Sequence, residues 1–324
     1  MRKILIIKTS SLGDVIHMLP AITDAIHYHP RLTFDWVVEE GFAEAPAWHP
    51  AIKNVIPVAI RRWRKHLFNT TTWQEIGAFR QHLQAAQYDA VIDAQGLVKS
   101  ALLAWMAQGK RYGYDRNSIR EPIASLSYQR TFSVSRQRHA ITRNRLLLAH
   151  ALDYTIESLP LNYGVAKTHY LHLALPLPKR YIVALHGTSR IDKEWPESCW
   201  RTLIQALAQH DIHILLPWGN QRERERAGRL LQTNANVQVL PRSSLNDLAA
   251  ILQGAIGVIG MDTGLMHIAA ALDKPGLALY PATEPELTGI LGNSNSHNRL
   301  ENLSGAETQD AAAVTRRLLE LIGG

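Results

Sequence analysis

Three short segments of this chain gather the side chains that phosphate binding and acid–base chemistry need, and each follows an apolar run. The first is Lys8-Thr9-Ser10-Ser11-Leu12-Gly13-Asp14, which leaves the run Lys3–Lys8 and opens a helix. Asp14, at the start of that helix, suits a general base, and it equally suits an N-cap aspartate. The second is His186–Pro196, where Gly187, Thr188, Ser189 and Lys193 come just after a strand. Small hydroxyls, a glycine and a lysine suit phosphate oxygens, and a plain polar loop leading into the helix at Pro196 fits the spacing as well. The third is Gly260–His267, after the run AIGVIG. A helix starting at Thr263-Gly264 presents free N–H groups and the positive end of its dipole to an anion. His267 lies four residues beyond Thr263 on the same helical face, and a lone helix histidine also reads as structural.

Other chemistries lack their residues. No Gly-x-Gly-x-x-Gly fingerprint, Walker lysine loop or serine nucleophile elbow occurs. The 15 histidines include no His-x-x-x-His or Glu-x-x-His pair with a third ligand nearby. The single cysteine, Cys199, excludes an intrachain disulfide and a multi-cysteine zinc site. No metal is called for.

Strands and helices alternate around the three segments. Lys3–Lys8, Leu32–Val38, Asn54–Ile60 and Tyr88–Ala94 read as strands, with helices over Val15–Tyr28, Thr72–Ala86 and Leu97–Ala107. Asp115–Arg138 is polar and reads as an irregular loop. The second half repeats the pattern, with strands at Tyr181–His186, Ile212–Pro217, Val237–Leu240, Ala255–Gly260 and Gly276–Tyr280. Such alternation means βαβ units and parallel sheets. Leu171–Arg180, with Pro176 and Pro178, reads as a linker. The expected organisation is therefore α/β, with two Rossmann-like domains over 1–170 and 171–324. Ligands are expected outside the carboxyl ends of the strands, in a cleft between the domains.

Composition agrees with a folded two-domain chain. At 324 residues, 46% hydrophobic and 19% charged, it is neither disordered nor short of core. No apolar stretch reaches the roughly 18–20 residues of a membrane span, and the N-terminus does not read as a signal peptide. A soluble, cytoplasmic chain is expected. The net charge of +7 is uneven. Residues 1–170 carry 21 Lys/Arg against 13 Asp/Glu, and residues 171–324 carry 14 against 15. The basic half is densest at Arg61-Arg62-Trp63-Arg64-Lys65-His66, with Arg120 further on. Such a face suits nucleic acid, an anionic membrane surface or a phosphorylated substrate, and a solvated surface without a partner fits it too.

At these residues the chain resembles glycosyltransferase family 9, the ADP-heptose:lipopolysaccharide heptosyltransferases. The pattern is seen in Lys8–Asp14, in Trp195-Pro196 and in Asp262-Thr263-Gly264 with His267. Further matching segments are Phe34–Pro50, Val55–Lys65, Tyr88–Ala101, Arg120–Ser125, Leu216–Gly219 and Asp262–Pro275, which together span nearly the whole chain. Within the family it is most similar to the members that add the first inner-core heptose.

The resemblance implies a GT-B fold whose two parallel sheets face an interdomain cleft, with a C-terminal helix free to pack back on the N-terminal domain. It implies an inverting transfer of L-glycero-D-manno-heptose from ADP-heptose to the first Kdo of Kdo2-lipid A. The enzyme would be peripheral on the cytoplasmic face of a Gram-negative inner membrane and need no cofactor. Asp14 falls where the family keeps its base, and Lys193 where it keeps a phosphate-binding lysine. Thr188, Ser189, Thr263, Gly264 and His267 fall at diphosphate positions. Glu223 falls by the ribose, Ser243 by the adenine and Asp262 by the sugar. The anionic acceptor gives the basic half a use, and Arg61, Arg62, Arg64, Lys65 and Arg120 are its expected contacts, with Trp63 toward the acyl region or membrane. The chain departs from the family at Pro281-Ala282-Thr283-Glu284-Pro285, where relatives carry Gly-Pro-Thr-Asp-Pro, and at Ser243, smaller than the usual apolar residue there.

Competing readings are a family member that adds the second heptose, a nucleotide-sugar epimerase of the same architecture, and a basic nucleic-acid-binding protein. The last leaves the near-neutral second half and its two loops unexplained, so no nucleic-acid partner is expected. A monomer is the default expectation.

Overall fold

The structure is a computed structural model that describes residues 2–166, 175–188, 193–232, 234–297 and 299–323. The chain divides into two compact units, Met1–Leu159 with Tyr163–Ala166, and Pro160–Asn162 with Lys167–Gly324. Of the segment read as a linker, residues 171–174 lie outside the described residues, and 175–180 form no helix or strand.

The first unit runs β1 (Lys3–Ile7), α1 (Leu12–Ile16), α2 (Leu19–Tyr28), β2 (Thr33–Glu39), β3 (Ile52–Val58), α3 (Ile60–Trp63) and α4 (Thr70–Gln84). It continues with β4 (Ala90–Asp93), α5 (Val98–Met106), β5 (Arg111–Tyr114), a 3-10 turn (Pro122–Ser127), β6 (Arg130–Phe132) and α6 (Ala140–Leu152). Its six strands form one parallel sheet in the order β3-β2-β1-β4-β5-β6. β1 has helices to bury it on both faces, and so it is apolar at every position from Ile4 to Ile7.

Two expectations fail here for physical reasons. The polar stretch read as an irregular loop holds β6, and β5 just precedes it. Both are short strands at one edge of the sheet, and RYGY and RTF carry no apolar run to betray them. The single helix expected over Val15–Tyr28 is two. Proline at the second position of α2 has no N–H to continue the α1 ladder, so the helix restarts. α2 is then tied to α6 by a buried pair in which Arg145 Nε and Nη2 donate to Asp24 Oδ2 and Oδ1 at 2.6 and 3.1 Å. Burial pushes the Asp24 carboxyl up, and the Arg145 bonds oppose it.

The second unit runs β7 (Tyr181–Leu185), α7 (Glu197–Ala208), β8 (His213–Leu216), α8 (Gln221–Leu231), β9 (Val237–Val239) and α9 (Leu245–Gly254). Then come β10 (Gly257–Met261), α10 (Gly264–Ala271), β11 (Gly276–Tyr280), β12 (Leu300–Ser304) and α11 (Ala311–Ile322). The strand order is β12-β11-β10-β7-β8-β9, again all parallel. Val314, Leu318 and Leu321 of α11 form an apolar stripe at helical spacing, and it is buried in the second unit's core with Trp200, Ile259 and Leu277.

In each sheet the order reverses beside the first strand. β2 and β4 flank β1, and β8 and β10 flank β7. Loops leaving two such neighbours diverge, and the opening between them is where α/β sheets bind ligands. Among the described residues no helix is long and apolar enough to cross a membrane.

The first unit also buries a titratable group. His49 Nδ1 accepts from the Ala51 N–H at 3.2 Å, and Nε2 faces Thr23 Oγ1 at 3.1 Å. Burial pulls its pKa down to about 4. The folded state thus binds this proton less readily than the unfolded chain, whose histidine titrates near 6.5. Its stabilising effect is complete above that pH and fades as pH falls toward 4. We expect it to account for about 2 kcal/mol of the stability lost between about pH 7 and pH 5. Urea unfolding at the two pH values measures this, and His49→Gln should flatten the dependence by that amount. An unchanged slope in the variant would exclude the assignment.

Candidate active site

At the β1/β4 opening, the loop after β1 is held by the loop after β4. Gln95 Oε1 accepts from the Thr9 and Ser10 amides at 3.0 and 3.1 Å. Gln95 is itself placed by Asp93, wholly buried at the end of β4. The Asp93 carboxylate accepts from the Gln95 and Gly96 amides, Ser100 Oγ and Tyr128 Oη, at 2.8, 3.1, 2.8 and 2.6 Å. Burial raises the Asp93 pKa, and these four donors oppose it. Lys8 Nζ donates to Ala94 O at 2.8 Å, with its pKa lowered by burial against the pull of Asp14 and Asp93.

Asp14 is not the N-cap. α1 begins at Leu12, so Ser11 takes that place and Asp14 stands three residues on. From there it reaches back, and the Ser11 N–H and Oγ both donate to Oδ2, at 2.8 and 3.0 Å. The N-cap reading is thus corrected to a capping-box carboxylate, in which Oδ2 serves the helix and Oδ1 takes part in neither bond.

A hollow of about 700 Å³ borders this carboxylate, with Arg64, Lys99 and Arg120 in its wall. Of the five cations expected to act together, only Arg64 and Arg120 reach it. Arg61, Arg62 and Lys65 line a separate concavity beside Glu39, Glu40 and Phe42. Successive helical side chains point about 100° apart, so a contiguous basic run cannot face one site. Arg62 is engaged by Glu40 and Glu75 at 3.1 and 2.9 Å, and the Arg61 guanidinium lies over the Phe42 ring. Trp63, expected toward the acyl region or membrane, is half-buried. Its ring packs edge-on against Phe79 in the unit's core, and Nε1 donates to Glu75 at 2.6 Å.

At the β7/β10 opening of the second unit, Lys193 Nζ meets Asp262 Oδ2 at 3.0 Å. Thr263 is the N-cap of α10, and its side chain makes no capping hydrogen bond to that helix. Thr188 is 4% exposed, and its Oγ1 has no hydrogen-bond partner among the described residues; nor has Thr283 Oγ1, in the loop after β11. The Glu223 carboxylate accepts from the Gly219 N–H and Asn220 Nδ2 at 2.7 and 2.8 Å. It lies so close over Gly187 that a Cβ there would come within 2.6 Å of Glu223 Cδ. His267 is 5% exposed, most of its ring inside the unit. Ser243 lies after β9, on the far side of β8, and donates to Pro241 O at 2.9 Å. Ser189 falls outside the described residues. Among the described residues no three His, Cys, Asp or Glu side chains gather as a metal site.

Sequence reasoning overlooked the residues that hold the described ends, 186–188 and 193–195, of the loop after β7. Arg226 is 5% exposed. It donates to His186 O at 3.0 Å and to Trp195 O, one at each end of the loop, and pairs with Glu194 at 2.8 Å. Arg222 adds a bond to Thr188 O at 2.9 Å. Both sit in the charged stretch QRERERAGR, which reads as a solvated helix face. The spacing of Arg222 and Arg226, one turn apart, was the available signal.

Two six-stranded parallel sheets, each with polar loops gathered where its strand order reverses, define a GT-B type glycosyltransferase fold. The family model described as glycosyltransferase family 9 (heptosyltransferase) matches residues 76–316. Lipopolysaccharide heptosyltransferase 1 of Escherichia coli K12 is 48% identical over 98% of this chain and 100% of its own length. The structure of E. coli heptosyltransferase WaaC with ADP superposes with a TM-score of 0.90 at 48% identity, covering 98% of this chain and 99% of that one. WaaC with ADP-2-deoxy-2-fluoro heptose gives a TM-score of 0.87 at 47% identity, over 98% and 99%. The chain belongs to glycosyltransferase family 9, the heptosyltransferases.

Arg226 supplies the test of how the ends of the loop after β7 are held. Its replacement leaves the His186 and Trp195 carbonyls without this buried donor and leaves Glu194 to Arg222 alone, at 2.9 Å. Arg226→Met should cost about 3 kcal/mol or more, measured by urea unfolding. A loss below about 1 kcal/mol would make the clamp incidental.

Proposed function

We propose that this heptosyltransferase transfers L-glycero-D-manno-heptose from ADP-heptose to the first Kdo of Kdo2-lipid A, at the cytoplasmic face of the inner membrane. One observation carries the reading of the acceptor side. Asp14 opens onto a hollow walled by Arg64, Lys99 and Arg120 together with Glu121, a base in a wall where cations outnumber carboxylates. That combination suits a sugar hydroxyl flanked by carboxylates and phosphates. The donor side draws on Lys193, Thr188 and the α10 amides, which suit a diphosphate, and on the similarity of the whole chain to proteins whose structures hold ADP and an ADP-heptose analogue.

The chemistry is a single displacement. The Kdo hydroxyl oxygen attacks the anomeric carbon of heptose while Asp14 Oδ1 takes its proton. The bond from that carbon to the β-phosphate oxygen breaks on the opposite face, so the anomeric centre inverts and ADP departs with the electron pair. Ser11 fixes the carboxylate through Oδ2, which leaves Oδ1 aimed for transfer. In the free protein Lys193 is neutralised by Asp262. With donor bound, its ammonium turns to the diphosphate and meets the charge growing on the leaving group, while Asp262 turns to the sugar. Thr188, Ser189, Thr263, Gly264 and the exposed edge of His267 hold the phosphates, Glu223 the ribose and Ser243 the adenine edge. The positive charge comes from the lysine and the helix end, so no resident cofactor enters the scheme.

Arg64 and Arg120 are the acceptor contacts this reading favours. Arg61 and Lys65 border the neighbouring concavity and meet the outer phosphates. Arg62, already paired twice, holds α3 against α4.

The test is ADP release from ADP-heptose with deacylated Kdo2-lipid A. Wild type should require the acceptor. Asp14→Asn should lower kcat by about 10²–10⁴ while ADP affinity, read by calorimetry, stays within about twofold. Lys193→Gln should weaken ADP binding and lower kcat together. Near-normal turnover in Asp14→Asn would remove the base assignment. Release with a heptosylated acceptor only would make this a transferase of the second heptose.

A further inference from the structure

α5 is apolar almost all round (VKSALLAWM), as a helix buried on every side would be. Its inner side is indeed covered, with Ser100, Ala101, Leu103 and Ala104 packed into the unit. Its outer side is bare. Val98, Leu102 and Trp105 recur at spacings of four and three, one helical stripe facing solvent. The 3-10 turn beside it adds Ile123 and Leu126, and the five residues are 40% to 82% exposed. The turn is fixed against α5 rather than loose, since the Val98 N–H donates to Glu121 Oε2 at 2.7 Å and the Glu121 N–H to Gly96 O at 3.2 Å. Exposed apolar groups gathered on rigid neighbouring elements mark an interaction surface.

Charge says what covers it. The stripe begins inside the hollow beside Asp14, where Val98 and Leu102 share the wall with Arg64, Lys99 and Arg120. The same wall holds the carboxylates of Asp14 and Glu121, the latter tied to the Val98 N–H, so three cations face two carboxylates there. An apolar strip with a margin of net positive charge at one end matches a bilayer surface, acyl region against the strip and anionic headgroups against the margin. We propose that Val98, Leu102, Trp105, Ile123 and Leu126 form the surface by which the first unit docks on an anionic lipid bilayer, setting the mouth of the Asp14 hollow at headgroup level. This rests on the acceptor reading above, and it assigns to this face the membrane contact that the sequence had given to Trp63.

The experiment uses the full chain and vesicles of phosphatidylethanolamine with roughly a quarter phosphatidylglycerol. Trp105→Gln, Ile123→Ser and Leu126→Ser are combined, since none of the three lines the hollow and all are exposed. Co-sedimentation should show binding at least about tenfold weaker than wild type, while Leu231→Ser, an exposed apolar site on α8, leaves it unchanged. Wild-type binding should weaken with salt. Turnover of the triple variant should match wild type on deacylated acceptor and fall on acceptor carried in the vesicles.

Equal vesicle binding by triple variant and wild type would overturn the proposal, as would wild type that ignores anionic vesicles. A wild-type dimer in sedimentation velocity that the triple variant splits, with vesicle binding unaltered, would assign the face to a second copy instead. Failure of wild type on the soluble acceptor would remove the proposed reaction and leave the vesicle result standing, so the two failures are distinct.

Discussion

A parallel sheet whose strand order reverses leaves two adjacent loops with no strand end between them, and the rest of this structure answers that gap. The loops must carry polar backbone, because nothing covers them, and they must be held still, because a reacting group cannot be placed on a mobile chain. The two units meet the demand differently. In the first, a side-chain amide closes the gap, since Gln95 ties down two consecutive amides of the opposite loop. In the second, a charge pair spans it, Lys193 to Asp262. A neutral brace stays in place through a reaction cycle. A salt bridge between half-buried groups can be exchanged for a phosphate and a sugar hydroxyl with little net loss, and so the second opening is the one suited to bind and release a charged donor.

Holding such loops requires buried polar groups, and each is satisfied more fully than stability alone would need. Asp93 takes four donors at the end of β4, and Arg226 reaches two carbonyls and a carboxylate beneath the donor loop. A buried polar cluster replaced as a whole by apolar residues of similar volume is often no less stable, and only the loss of one partner is costly. What the polar groups add is direction. A carboxylate that accepts from Gln95, Gly96, Ser100 and Tyr128 admits one arrangement of the loop it supports, where a leucine would admit several.

How much could be read beforehand follows from the same physics. Central strands are apolar on both faces, so Lys3–Ile7, Ala90–Asp93 and Gly257–Met261 were plain in the sequence, as were the loops that leave them. The outer strands β5 and β6 were not, because an edge strand can be short and polar. Asp14, Lys193 and Asp262 could be singled out because their residue types stand immediately beyond strand ends. Gln95, Asp93 and Arg226 act across the fold, to partners 85, 35 and 40 residues away. No local pattern records such a pairing.

The basic cluster shows the limit most sharply, since charge counted along a chain is not charge available at a site. Arg61, Arg62, Arg64 and Lys65 are neighbours in sequence, yet the turn of α3 and its C-cap fans them apart, and two carboxylates claim Arg62 while Arg64 lines the hollow that Asp14 borders. The same geometry reverses the reading of the aromatic residue among them. Trp63 faces inward because α4 offers it Phe79 and Glu75, and the apolar groups that do face solvent lie some 40 residues on, in a helix whose sequence reads as core. A helix apolar on every side has two explanations, burial by protein or burial by something else. In α5 the outer face is solvent-exposed at Val98, Leu102 and Trp105, and its charged margin is the wall of the hollow beside Asp14.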